Sequence, residues 1–564
     1  MGVDFGTYWY AGRTHEDCRM TPTAARRIPL LSVLFACICV VAAPAAELVD
    51  GVLLVDGKPF YPLGGWDDEH TSPEYLASLG MNTSFRIPRP TDEGVQSFRE
   101  HMRACGELGI QVLPYLSYGG EGNSPWPVES VRQVAQLADE PNLLAWYVGD
   151  DIGIQHLDGI RQTVTVLREH TPRVATVADY IAEETPEAKT VFTRYVDIRC
   201  QYTYPIPNSG FAPYLSFFEQ QRRFVGDPLW TWTQAFMWGG TATEFGLGTG
   251  DDPGPIPSPE QMRLLCYAAV NRGVRGQLFF QHNTMYQLPE RIAEAALFCH
   301  EVRLFEEHLA AGIPSFALPT NHSVVDAVAY EYNGSTLVSA MVVGTDYHRW
   351  VDEGVIEDLT IDVEWQQADT PRAFLVAFPE VSECRVTHES TETLRIHVPQ
   401  LEVAGMLLLS ANDGRITQLT DDVAAATRAL AQLAPGAAGS WTSTASSHAV
   451  RAGMGDLTRG DGPLVGAFRE ARASGASLSQ GDEAGAVAAW RRALRATRVG
   501  LDSMMARAER RRIAISAHEQ RLLHTPFGLA MSDELRAAGE QVDPVAFCAR
   551  MAHRGSIPAD ERER

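Results

Sequence analysis

The chain has 564 residues, 45% hydrophobic and 21% charged, and a formal charge of −24 from 47 basic and 71 acidic side chains. That length exceeds one ordinary core and calls for two or three domains. The acidic balance argues against a nucleic-acid partner, because a phosphate backbone demands a basic surface.

Residues 1–46 read as an N-terminal extension and signal peptide. Arg26-Arg27 precede the apolar run "IPLLSVLFACICVVA", and Ala43-Pro44-Ala45 forms a small-residue cleavage site. The run is short for a membrane span. Met20 is the expected start, because the residues before it are polar and mixed in charge. Export with cleavage near residues 45–47 is expected, giving a periplasmic or extracellular protein with no membrane span. No cysteine pair has CxxC or zinc-type spacing, so no metal is expected. Export leaves Cys105, Cys200, Cys266, Cys299, Cys384 and Cys548, most of which sit in apolar runs and read as small core residues.

From residue 47 to 312 short apolar runs alternate with amphipathic segments. The predicted strands are "FYPLGGW", "MNTSFRI", "IQVLPYLS", "LLAWYVGDD", "RVATVADY", "DIRCQYTYPI", "LWTWTQAFMW" and "GQLFFQHN". Helix signals lie between them. Thr71 or Ser72 caps a helix with Pro73 in its first turn and Gly80 as its stop. Thr91-Asp92-Glu93 opens another that ends at Gly109, and Ser258-Pro259-Glu260 opens a third. Eight such units predict a (β/α)8 TIM barrel in the α/β class. The alternative, an open doubly wound sheet, usually carries a phosphate loop, and no GxGxxG or GxxxxGK[ST] follows any strand.

Residues 313–412 change grammar. Runs such as "SVVDAVAYEYNGSTLVSAMVVG" and "DLTIDVEW" predict a β-sandwich, with a hairpin turn at Asn333-Gly334. Residues 413–564 read as a helical tail: an Ala-rich helix to about 436, a Gly/Ser/Ala-rich flexible linker at 437–463, then an amphipathic stretch with arginine on its outer face.

Active sites of this fold lie at the C-terminal ends of the strands. Reading off those ends gives Trp66, Asp67, Arg86, Tyr115, Asp150, Asp151, Tyr204, Gln234, Trp238 and His282. Aromatic faces cover the C–H patches of sugars, and acids and amides bind hydroxyls, so a carbohydrate is the expected partner. A phosphate would want more cations than Arg86 and Arg89. Successive residues of a strand point to opposite faces, so regular alternation groups Trp146, Val148 and Asp150 on one side and Tyr147, Gly149 and Asp151 on the other.

These stretches resemble the barrel glycoside hydrolases of the β-galactosidase-like and cellulase-like clan. "LLVDGKPFYPLGGW" is similar to the hairpin and first strand of those enzymes, "NLLAWYVGDD" to their fourth strand, "DIRCQYTYPI" to their sixth and "PLWTWTQAF" to a seventh strand. The resemblance implies a general acid at the end of strand four, at Asp151 with Asp150 as support, and no cofactor. It also implies a carboxylate nucleophile at the end of strand seven. That position holds Gln234, so the chain reads as a divergent member. Asp151 is also one methylene shorter than the expected Glu, and a misplacement of about 1 Å can cost about a hundredfold. Two functions are therefore open. One is hydrolysis of a glycosidic bond, with Asp151 or Asp150 as acid and Asp67, Asp68, Glu69, Asp179 or Glu244 as base. The alternative is a non-catalytic saccharide-binding barrel.

Overall fold

Two Asp-Gly pairs start the folded chain. In the computed structural model Asp50-Gly51 and Asp56-Gly57 both have positive φ, the conformation of tight hairpin turns. They fold Glu47–Val49, Val52–Val55 and Lys58–Pro59 into a small antiparallel sheet. The structure describes residues 46–66, 71–116, 126–172, 174–180, 185–206, 211–236, 257–280, 288–343, 355–367, 369–451 and 454–510. The proposed signal peptide therefore lies outside the described residues, apart from Ala46.

All eight predicted barrel strands form: Leu63–Trp66, Thr83–Arg86, Gln111–Pro114, Trp146–Ile152, Thr176–Tyr180, Ile198–Cys200, Leu229–Gln234 and Gln277–Phe280. Neighbours pair in parallel, and the eighth pairs with the first. The third and fourth close the ring. Val112 N donates to Asn142 O at 2.8 Å, and Leu116 N donates to Tyr147 O at 2.8 Å. This is a closed (β/α)8 barrel. The helix signals hold where they were read. Ser72, Thr91 and Ser258 each accept a backbone N–H in the first turn of their helix, and Gly80 and Gly109 take the left-handed conformation past the end.

The barrel interior is filled, not open. Phe85, Tyr115, Tyr147, Trp230, Trp232 and Leu278 pack inside it, and Leu53 and Phe60 of the N-terminal hairpin join that cluster. A second layer, including Trp146 and Val148, lies between strands and helices. Cys105, Cys200, Cys266, Cys299 and Cys384 are free and buried, and Cys548 lies outside the described residues.

Eight antiparallel strands between Ile313 and Ser410 form the second body. Residues from both halves of this sheet, such as Ala327, Val338, Leu407, Ile361 and Ile396, share one core, as in a sandwich. Tyr330, Leu337, Met341 and Leu408 join the barrel's outer core instead. Strand Ser335–Val342 is accordingly buried along its whole length.

The tail corrects one expectation. The stretch expected to be a linker at 437–463 continues a helix, Asp413–Arg451, to its end. Ala434, Ala437, Ala438, Trp441, Ala445 and Ala449 recur at helical spacing and are buried. Small residues mimic a linker's composition, yet here they permit close packing. Helices Pro463–Ser479 and Glu483–Arg510 form a hairpin beside it. They approach closely enough that a Cβ on Gly500 would lie 2.3 Å from Leu464.

Barrel, sandwich and tail meet at a charged junction. Arg263, buried on helix Pro259–Asn271, pairs with Glu294 at 3.2 Å and Glu301 at 2.7 Å. Its guanidinium also donates to Ala404 O of the sandwich. From the tail, Arg491 and Arg495 hold Glu402, and Arg498 pairs with Glu260 at 3.4 Å.

Candidate active site

Strand four is the element that departs from regularity. Trp146 and Val148 face the helices, and Tyr147 faces the barrel interior. Regular alternation would then send Asp150 outward with Val148. The pairing with strand five instead shifts register between Tyr147 and Gly149, and again between Gly149 and Ile152. Gly149 lies against the outer layer: a Cβ there would come within 2.7 Å of Ile152 Cγ2 and 3.0 Å of Ile160. Two successive outward residues make a bulge, and a bulge re-aims the next side chain. Asp150 therefore joins the interior side, where Tyr115 donates to its Oδ2 at 2.8 Å. The expected grouping of Asp150 with Trp146 and Val148 is overturned. Asp151 comes next with φ +52, a conformation few non-glycine residues adopt.

The end of strand five supplies a third carboxyl. Asp179 is fully buried. Its Oδ2 accepts the Tyr147 hydroxyl at 2.6 Å, and its Oδ1 accepts the Asp151 backbone N–H. Tyr147 in turn accepts Trp232 Nε1 at 2.8 Å from strand seven. Asp150 lies near enough for its charge to act on Asp179. Burial first, then the charge of Asp150, holds the Asp179 carboxyl well above the usual carboxylate range. Sequence reading had Asp179 only among several bases. Its signal was there: an acid ending "ATVAD" on the strand next to "YVGDD".

Aromatic rings surround this cluster. Trp66 is half-buried and contacts Phe85, Tyr115 and Phe280, with centroids 5.2, 5.6 and 6.1 Å away. Tyr204 stacks on Tyr202 at 4.8 Å and on Phe280 at 5.8 Å. Burial, then the charges of Asp179 and Asp150, pushes its phenol up, which places it beside the acids. Asp150, Asp151, Tyr115, Trp66 and Tyr204 are thus brought to one region.

Two expected contacts are not. Arg86 Nη1 lies 3.3 Å from His101 Nδ1 of helix Asp92–Glu107. Phe85 takes the interior position, so strand alternation turns Arg86 to the helix side. Gln234 has both ends of its amide engaged: Ile206 N donates to Oε1 at 3.0 Å, and Nε2 donates to Ile206 O at 2.7 Å. It clamps the chain after strand six, where a buried backbone needs partners. Trp230 and Trp232 fill the interior and offer no open face. Asp67, Trp238 and His282 lie outside the described residues. Among the described residues no group of three His, Cys, Asp or Glu side chains is placed to hold a metal ion.

No protein-family profile matches the chain, and no curated protein matches it. Solved structures do. One described as a glycoside hydrolase aligns with a TM-score of 0.44 and 11% identity, over 66% of this chain and 98% of that one. A glycoside hydrolase family 5 protein from Bacteroides vulgatus aligns with 0.44 and 13%, over 65% and 93%. An α-amylase from Anoxybacillus aligns with 0.39 and 10%, over 60% and 89%. The likeness is one of architecture; the barrel itself is established by the strand register above.

Proposed function

We propose that the protein hydrolyses a glycosidic bond at the mouth of the barrel, with the strand-four pair Asp150 and Asp151 supplying the acid. The observation that carries this reading is the gathering of two strand-end carboxyls, Asp150 under the Tyr115 hydroxyl at 2.8 Å and buried Asp179 under the Tyr147 hydroxyl at 2.6 Å, beside the rings of Trp66, Tyr115 and Tyr204. A general acid must present its carboxyl to the leaving oxygen, with a second carboxyl nearby for the water. Asp150 is the donor favoured here, because the bulge turns it inward and Tyr115 fixes it. It gives its proton to the leaving oxygen as the C–O bond breaks. Water adds to the anomeric carbon and loses a proton to a second carboxylate. Gln234, an amide clamped to Ile206, cannot be a carboxylate nucleophile, so direct attack by water is the route proposed. With Arg86 turned to His101, a neutral sugar fits better than a phosphorylated one. Export to the periplasm or cell exterior belongs to the same proposal and rests on the N-terminal apolar run.

The test is turnover on a panel of aryl glycosides and polysaccharides, with wild type beside Asp150→Asn and Asp151→Asn. Activity lost in Asp150→Asn supports the assignment; activity lost only in Asp151→Asn moves the donor one residue along. The engaged Gln234 amide favours a second reading, a barrel that binds saccharide without cleaving it. Saccharide binding with no turnover on any substrate would establish that one.

A further inference from the structure

A second concave surface lies at the end of the barrel opposite the mouth. Helices of this fold run back from the mouth, so the last turns of Phe211–Val225 and Pro259–Asn271 mark the base, with the start of strand Leu229–Gln234. There Phe316 and Ala317 of the sandwich face them across a cavity of about 440 Å³. Small-molecule sites occupy about 300–1,000 Å³. The walls are fixed from several sides. Arg222 forks onto Asp227, with Nε donating to Oδ1 at 3.2 Å and Nη2 to Oδ2 at 3.0 Å, and its Nη1 donates to Arg272 O at 3.3 Å. Arg272 pairs with Glu219 at 2.9 Å and with Asp326 of the sandwich at 2.8 Å. The Arg222 guanidinium carbon lies 5.1 Å from the centre of the Phe316 ring. Gly273 permits this approach: its φ is +75, and a Cβ there would lie 2.8 Å from Arg222 Nη1 and 3.3 Å from Phe316 Cζ. Ala317 holds φ +57, a strained backbone next to the ring. Phe316 is nonetheless 43% exposed, so much of an anchored aromatic ring stays open to the cavity and solvent.

We propose that this cavity binds a neutral sugar unit, apart from the mouth and without a part in cleavage. Charge selects the class of ligand. Three arginines and three acids line the cavity, so an ionic ligand meets both signs. Only Phe316 and Ala317 among the lining residues are apolar, so a wholly apolar ligand would strand the charged groups. A pyranose meets both demands. Its face of C–H groups covers the Phe316 ring, and its hydroxyls donate to Glu219 and Asp227, which are half-exposed and keep unused lone pairs. Arg222 spends three of its five N–H groups on Asp227 and Arg272, which leaves donors for a sugar oxygen. The ion pairs order these groups before a ligand arrives, so little side-chain freedom is lost on binding. The proposal assigns binding alone and does not rest on hydrolysis at the mouth.

The test is affinity gel electrophoresis of the full chain. The gels hold soluble starch, xylan, galactomannan or mixed-linkage β-glucan as neutral probes, and polygalacturonate as an acidic one. Wild type runs beside Phe316→Ala, beside Trp66→Ala at the mouth, and beside the double variant. Phe316→Ala is expected to keep the wild-type Tm and to bind at least one neutral polysaccharide about tenfold more weakly. Trp66→Ala should still be retarded by that polysaccharide, and adding Phe316→Ala to it should abolish the retardation.

The proposal is overturned if no neutral polysaccharide retards the wild type, if only polygalacturonate does, or if Phe316→Ala runs as the wild type with every probe. It is also overturned if Trp66→Ala alone removes all retardation. Should Phe316→Ala lower the Tm, Phe316→Leu decides in its place, because it keeps an apolar contact for Arg222 and removes the flat ring; binding equal to wild type overturns the proposal. The two readings fail separately. Phe316-dependent binding with no turnover leaves this site standing and removes the hydrolase. Turnover with no Phe316-dependent binding does the reverse.

Discussion

The barrel mouth and the three-body junction both bury charge, but they handle it in opposite ways. At the junction the acids meet guanidiniums: Arg263 faces the buried Glu294 and Glu301, and Arg491 and Arg495 face the half-buried Glu402. At the mouth no guanidinium among the described residues pairs with Asp150 or Asp179: Asp179 feels the charge of Asp150, and hydroxyls and a backbone N–H are their hydrogen-bond donors. Opposite charges brought together fix geometry and leave nothing to react. Like charges brought together cost stability and make a carboxyl hold its proton to higher pH. The first arrangement serves assembly, and the second is the one proposed for chemistry.

That contrast can be broken by substitution. The largest effect is expected at the mouth: Asp150→Asn should lower turnover by about 10²–10⁴-fold, the range for a general acid. Its Tm should hold or rise, because a like-charge contact is relieved; steady-state rates and calorimetry on the same sample check both halves. Arg263→Met should do the reverse. It strands Glu294 and Glu301 in the interior and should cost about 3–5 kcal/mol of stability by denaturant titration. Gln234→Ala sharpens the comparison, because it sits at the mouth and belongs with the structural class. It leaves the Ile206 N–H and C=O without partners and should cost about 1–3 kcal/mol. A fall in turnover without that loss would return Gln234 to the substrate.

The smallest effect is a pH dependence of stability from two buried histidines. Burial pushes His300 and His308 down from 6.5 to about 4. A histidine whose folded value lies below its unfolded one contributes stability that is present above pH 6.5 and is lost as pH falls toward 4. The Tm should therefore decline across that window, measured by scanning calorimetry. His308→Gln, which keeps a polar partner for Ser335, should flatten part of the decline.

The sequence read well wherever local rules suffice. Alternation, capping residues and Gly stops placed every barrel strand and the helices Pro73–Ser78, Asp92–Glu107 and Pro259–Asn271, because these signals act within one turn or one strand. The sandwich was legible for the same reason. The helix through 437–451 was not, because Ala, Gly and Ser describe a linker equally well until a neighbour covers them. The acids ending strand four were visible in "GDD", but not which of them points inward.

Sequence alone determined that eight apolar strands alternate with helices, and that strand ends carry acids and aromatics. Only the tertiary structure decided that Gly149 packs against Ile152 and Ile160, so that a bulge turns Asp150 inward. It alone set Asp179 against the Tyr147 hydroxyl and the Asp151 N–H, turned Arg86 to His101 and engaged Gln234 with Ile206. The physical reason is common to all four. Periodicity fixes a side chain's direction only while the strand is regular, and a buried polar group takes whichever partner the neighbouring strand or loop delivers.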